Sequence, residues 1–198
     1  MSPTDLPRRN HRAAALGAAL LCALTTGCQP AMSTSAAGRT IQNELPLRFK
    51  KHNFQAVCYD TYGCKVVYAG TVQRQDDPAK LAPPATADRR ERWGFASHVG
   101  IENFPVPAVV TWTSHDGTPL HAQVDIGSLF KDELVRHHVP EADIPLETAA
   151  MPGGPDIFLE VDDRTISILM KATVATKRPT ANGAGFVSEL IPVWSKTY

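Results

Sequence analysis

The chain has 198 residues, with 20 lysines and arginines against 20 aspartates and glutamates, and therefore no formal net charge. That balance excludes the strongly basic surface that recruits nucleic acid by charge. The length suits one domain with a real core, and no repeat of fixed period divides it.

The N-terminus sets the address. Arg8, Arg9 and Arg12 precede an apolar run over 13–24 that is too short for a stable bilayer span. Leu24-Thr25-Thr26-Gly27-Cys28 follows. Small residues ahead of a cysteine, after an apolar run, resemble a bacterial lipobox, although Thr25 stands where leucine is usual. The expectation is a signal peptide over 1–27 and lipidation of Cys28. An ordinary signal peptide with Cys28 as a bystander is the alternative. Gln29, standing where an aspartate would retain a lipoprotein at the inner membrane, implies by analogy the outer membrane. Loss of 1–27 removes three arginines and one aspartate, which leaves 17 basic and 19 acidic residues. The small, polar run after Cys28 reads as a flexible tether, so 28–44 is assigned to the tether and 45–198 to a single β-rich domain.

Residues 45–51 lead into a first strand over 52–59, where Phe54, Ala56 and Cys58 share one side. A second strand over 64–72 is rich in β-branched and aromatic residues. The two are expected to form a hairpin closed by Cys58 and Cys64, because an exported cysteine pair is most simply a disulfide. The spacing is not CxxC, and no further metal ligands lie nearby in sequence. The run 73–92 carries three prolines, heavy charge and no period, and reads as a long exposed loop. It supplies the candidate partner-binding residues: Asp76 and Asp77 near one end, and Arg89, Arg90 and Arg92 near the other. Opposed charge on one loop can steer a partner. Trp93 follows as a candidate aromatic anchor, with a core role as the alternative.

Residues 93–107 are aromatic and irregular and are expected to cover one end of a sheet. A strand over 108–113 enters a hairpin at Asp116-Gly117, and Ala122, Val124 and Ile126 form the apolar face of its return strand. Past Gly127 the period changes. Phe130 and Leu134 are four apart, Ser128 is placed to cap a helix and Pro140 to stop it, with Asp132 and Glu133 early and Arg136, His137 and His138 late. Two clear strands follow over 156–161 and 164–176, joined at Asp162-Asp163. In the second, Ile166, Ile168, Met170, Ala172 and Val174 point one way. A last strand over 185–194 contains Pro192, so it is expected to lie at an edge or to end there. About seven strands and one short helix predict an all-β or β-dominated fold, an antiparallel β-sandwich.

Reactive constellations are scarce. G-x-S-x-G and H-E-x-x-H are absent from the sequence. Ser97-His98 and Ser114-His115 are adjacent pairs of a kind that any chain of this length offers. His137 and His138 would not share a helix face. Glu160, Asp162 and Asp163 suit calcium or, equally, a solvated turn. The expectation is a binding protein, not an enzyme, with no metal and no cofactor.

The runs F-P-x-P-A-x-V-x-W-x-S-x-D-G from Phe104, A-x-V-D-I-G-x-x-F-K-D-E-L-V-R-H from Ala122 and L-E-V-x-D-R-T-I from Leu159 resemble a family of small proteobacterial lipoproteins. The family is similar to lipoproteins encoded beside type VI secretion effectors, lipase effectors in particular. The resemblance implies an immunity protein that binds and blocks a toxin in the periplasm, with a protein partner, a membrane contact through the lipid alone and no nucleic acid. It supplies no contact residues. A structural or assembly lipoprotein of the envelope is the alternative.

Overall fold

The structure, a computed structural model, describes residues 44–145 and 154–198. The signal segment, Cys28 and the tether up to residue 43 lie outside them. Nine strands occur among the described residues: β1 (Lys51–Tyr59), β2 (Thr61–Tyr68), β3 (Thr71–Gln75), β4 (His98–Glu102), β5 (Ala108–Ser114), β6 (Pro119–Val124), β7 (Asp156–Asp162), β8 (Thr165–Ala175) and β9 (Phe186–Thr197). They form a five-stranded sheet, β4-β1-β7-β8-β9, and a four-stranded sheet, β3-β2-β5-β6. The core lies between them. Phe54, Ile157, Leu159, Ile166, Ile168 and Met170 from the first sheet meet Val66, Tyr68, Val110, Trp112 and Val124 from the second. The fold is β-dominated and sandwich-like, as the alternation predicts.

Three local expectations are corrected. First, the sandwich is not wholly antiparallel, since β1 and β7 pair in parallel from Asn53↔Asp156 to Tyr59↔Asp162. The whole four-stranded sheet intervenes between them in sequence, which leaves ample chain to bring β7 back in the same direction. Strand β7 is buried at six successive positions, the mark of a central strand covered on both faces.

Second, Cys58 and Cys64 are joined, but not across a hairpin. Strand β1 pairs with β4 and β7, whereas β2 pairs with β3 and β5. One linking residue, Asp60 at φ 48°, turns the chain from one sheet into the other. That link is too short for a hairpin and makes a corner instead. The disulfide therefore ties the two sheets together, and both cysteines are buried. The expected second strand breaks at Ala69-Gly70, where φ is 52° and 70°, into the hairpin β2–β3.

Third, the helix is a single turn, α1 (Ile126–Leu129), capped by Asp125 and not by Ser128: Asp125 Oδ1 accepts the Ser128 N–H at 3.0 Å. Backbone groups beyond it have other partners. Phe49 N–H donates to Glu133 O, and Val135 N–H donates to Leu47 O, both at 2.9 Å. Pairing with the 47–49 segment overrides the four-residue apolar spacing. The charges chosen for a helix dipole instead form local contacts, among them Arg136–Asp132 at 2.9 Å.

Strand β8 keeps its expected faces, with Ile166, Ile168 and Met170 fully buried. Strand β9 is an edge strand, and its ladder with β8 slips beside Pro192, between Ile168 and Leu169. A residue without an N–H suits such a place.

Candidate interaction surface

The outer face of the five-stranded sheet carries a buried carboxylate. Glu160 sits in mid β7, opposite Val57 and Ser167, and its side chain is 2% exposed. A charge so placed must be paired. The 3₁₀ turn Arg89–Arg92 supplies two partners. Arg89 donates from Nε to Oε2 at 3.1 Å and from Nη2 to Oε1 at 3.0 Å; Arg90 donates from Nε to Oε2 at 3.2 Å and from Nη2 to Oε1 at 2.7 Å. Two guanidinium forks thus close on one carboxylate. Burial alone would raise the Glu160 pKa, but the bonds and charges of Arg90 and Arg89 outweigh it and hold the carboxyl below its ordinary value. Asp162, 3.2 Å from Arg89, moves the other way: burial, with repulsion from Glu160, Asp60 and Asp163, raises it.

The residues after the turn are fixed in sequence order. Trp93 is buried and stacks on Phe158 with ring centroids 4.9 Å apart, and Leu169 completes the cluster. Its Nε1–H donates to Tyr59 Oη at 3.1 Å. Lys171 Nζ donates to Trp93 O at 2.7 Å and to Gly94 O at 3.0 Å. The next side chain, Phe95, stands out from this anchored backbone 78% exposed, with Lys171 Nζ 5.7 Å from its ring centre. Val99 and Val106 follow at 68% and 76% exposed, so among the described residues three of the five large exposed hydrophobics belong to one stretch of sequence.

The candidates on the 73–92 run separate accordingly. Arg89, Arg90 and Trp93 are held by the fold. Arg92 is exposed and pairs with Asp88 at 3.0 Å. Asp76, at the other end, is half-buried and pairs with Arg74 at 2.6 Å. Asp77 is exposed, and its Oδ1 accepts the Ala79 N–H at 2.9 Å. The run itself is docked and not freely solvated: Asp76 N–H bonds Cys64 O, Ala82 N–H bonds Thr61 O and Asp60 N–H bonds Pro83 O. Sequence reasoning missed Glu160 as the anchor and Phe95 as the residue presented. The first had a signal, since an acid in the centre of the apolar run DIFLEV needs a cation. The second had none, because exposure of Phe95 depends on what Trp93 does.

A second polar site crosses the sandwich. His52 on β1 is fully buried on the inner face. Its Nδ1 lies 2.8 Å from Asn103 Oδ1, and its Nε2 lies 3.0 Å from Tyr68 Oη on the opposite sheet. Asn103 Nδ2 donates to Phe49 O at 2.9 Å, which orients its Oδ1 toward the ring. The neutral Nδ1–H form with Tyr68 O–H donating to Nε2 satisfies every partner. Burial lowers the His52 pKa, and burial with the Asp125 charge raises that of Tyr68.

The remaining chemical candidates scatter. Ser114 Oγ donates to Asp116, while the His115 ring lies 3.5 Å from Asp60. The His138 ring is 3.2 Å from Glu189. The His98 ring meets Gln73 at 2.7 Å. Among the described residues, the one trio placed to share a metal is Cys58, Cys64 and Asp76. Its sulfurs are bonded to each other, and Arg74 already faces the carboxylate. The acids considered for calcium are engaged, Glu160 and Asp162 by arginine and Asp163 by the His115 N–H at 2.8 Å. No protein-family model, curated protein or solved structure matches the chain.

Proposed function

We propose that the protein is a periplasm-facing lipoprotein, anchored to the outer membrane through Cys28, that binds and neutralises a secreted antibacterial toxin in the manner of a type VI effector immunity protein. One observation carries the binding reading: a segment locked by Arg89, Arg90, Trp93 and Lys171 presents Phe95 to solvent. Exposing an aromatic ring from a backbone that is already ordered lowers the entropy cost of docking, and aromatic anchors dominate interface energetics. Val99 and Val106, later in the same stretch of chain, are also exposed. The toxin and the periplasmic address rest on the sequence resemblance and on the lipobox-like start.

The test is co-expression in the periplasm with the toxin encoded beside it. Protection should scale with the amount of this protein relative to toxin and vanish when the protein is kept in the cytoplasm. Full protection by a trace amount would mean turnover and would replace binding with catalysis. Mass spectrometry of the mature N-terminus checks the anchor, which requires a lipidated Cys28 as first residue.

A further inference from the structure

A different part of the same sheet has a donor and acceptor pattern that selects a ligand class, independently of any toxin. On the outer face of β8–β9, hydroxyls pair across the strands: Thr165 with Thr197 at 2.9 Å, Ser167 with Ser195 at 3.1 Å and Thr173 with Ser188 at 3.1 Å. Beside the middle pair lies a shallow groove of about 390 Å³ lined by Arg90, Ser167, Pro192, Val193, Trp194 and Ser195. That volume falls within the range of small-ligand sites.

The protons in this groove can be assigned. Ser195 Oγ donates to Ile166 O at 3.3 Å. A hydroxyl has one proton, so Ser167 is the donor in the Ser167–Ser195 bond. With that assignment both serine protons lie within the strand pair, and both oxygens remain able to accept. Arg90 meets Glu160 through Nε and Nη2, and among the described residues its Nη1 has no partner. The groove thus offers two acceptors and one forked donor beside the apolar flank of Pro192, which pairs with the outward Leu169, while the Trp194 ring packs on the inner face.

We infer that the β8–β9 groove binds a neutral saccharide. A sugar hydroxyl donates and accepts at once, so neighbouring hydroxyls can donate to Ser167 and Ser195 while accepting from Arg90 Nη1, and the ring's C–H face lies against Pro192. A phosphate or carboxylate has no proton for the serine oxygens, and the Arg89 and Arg90 charges already face the two carboxylates of Glu160 and Asp162. The same inventory that suits a polyol therefore disfavours an anion.

The test is a titration of the full chain followed by ¹⁵N NMR, with chitotetraose, cellotetraose and maltotetraose as neutral probes and inorganic phosphate as the anion. At least one neutral probe should shift the Ser167 and Ser195 amides and the Arg90 side-chain N–H signals, and phosphate should leave them in place. The exposed double variant Ser167→Ala/Ser195→Ala, with its unfolding midpoint checked against wild type, should bind that probe about tenfold more weakly. The inference is overturned if phosphate shifts these signals, if none of the neutral probes does, or if the double variant binds as wild type. The first two outcomes need only the wild-type chain.

Discussion

Glu160 and His52 lie in the same sheet, on opposite faces, and both are almost wholly buried. The fold treats them differently. Glu160 keeps its charge because two arginines close over it from a turn outside the sheet. His52 is pushed toward its neutral form by burial, because Asn103 and Tyr68, from other strands and loops, bring no charge to offset it. Both pKa values move down, with opposite meanings: for Glu160 the charged form gains, and for His52 the neutral form gains. Burial penalises the charged form of both groups, and whether that penalty stands depends on the partners that the surrounding chain can deliver.

The two sites should therefore separate when their partners are removed. Removing both arginines by Arg89→Ala/Arg90→Ala leaves Glu160 uncompensated. The expected loss is about 3 kcal/mol, at the low end for a buried pair because the guanidinium groups retain some solvent contact. Urea unfolding at neutral pH measures it. Adding Glu160→Leu to that background should recover most of the loss, since the penalty lies in the stranded charge. A loss below about 1 kcal/mol in the double variant would mean that Glu160 escapes to water and that the clamp is not what holds the loop.

Next in size is the disulfide, which acts between the sheets and on neither face. Cys58→Ala/Cys64→Ala should cost about 2 kcal/mol by the loop-closure term. Because the bond joins two sheets at a corner, the comparison sharpens if the variant loosens both sheets together in hydrogen exchange. Loosening confined to residues around Asp60 would mean that the core alone aligns the sheets.

The inner-face site should give a smaller effect with a distinctive pH dependence. Tyr68→Phe removes the donor to His52 Nε2 and should cost about 1–2 kcal/mol. In the wild type, the unfolded chain takes up a proton at His52 near its ordinary 6.5 while the folded chain resists. Stability from this group is thus complete above that pH and is lost as pH falls through 6.5 toward the lowered folded value. Glu160 contributes above its ordinary 4.5 and is lost only below it, as pH falls through its own lowered value. Urea midpoints should therefore decline in two steps on acidification, the upper one absent in His52→Gln and the lower one reduced in Glu160→Gln, since Asp116, Asp125, Asp132 and Glu133 are also held below their ordinary values. A single step common to all three chains would dissolve the distinction.

The strands that sequence period revealed are those in which neighbours on both sides agree with the local pattern. Strand β8 is the clearest: Ile166, Ile168 and Met170 alternate with Thr165 and Ser167, and the sandwich buries the first set. Pro192 likewise marked its edge, because a missing N–H has a local consequence. What failed depended on remote chain. The expected helix lost to the pairing of 133–135 with 47–49, and no residue in 128–140 encodes that. The hairpin at Cys58 and Cys64 lost to a one-residue corner, although the covalent bond was legible from export and spacing. The 73–92 run looked solvated because its arginines were counted without Glu160, some seventy residues later, which needs them. Phe95 was passed over because its exposure follows from the burial of Trp93.

That last dependence supports the prediction with the smallest effect on stability. Phe95→Ala removes a ring that touches little of the fold beyond the Lys171 ammonium, so unfolding should shift by no more than about 0.5 kcal/mol. Trp93→Ala, two residues away, removes the stack on Phe158 and should cost about 3 kcal/mol or more. The pair thus separates what the segment does for the fold from what it does for a partner. If Phe95 is the presented anchor, its loss should weaken toxin binding by about 2 kcal/mol, roughly thirtyfold, in a chain as stable as wild type. Calorimetry with purified toxin measures this directly. Unchanged affinity for Phe95→Ala, together with loss of affinity when Asp77 and Arg92 are reversed in charge, would move the interface to the exposed charges of the 73–92 run and leave the 95–106 stretch without a role in binding.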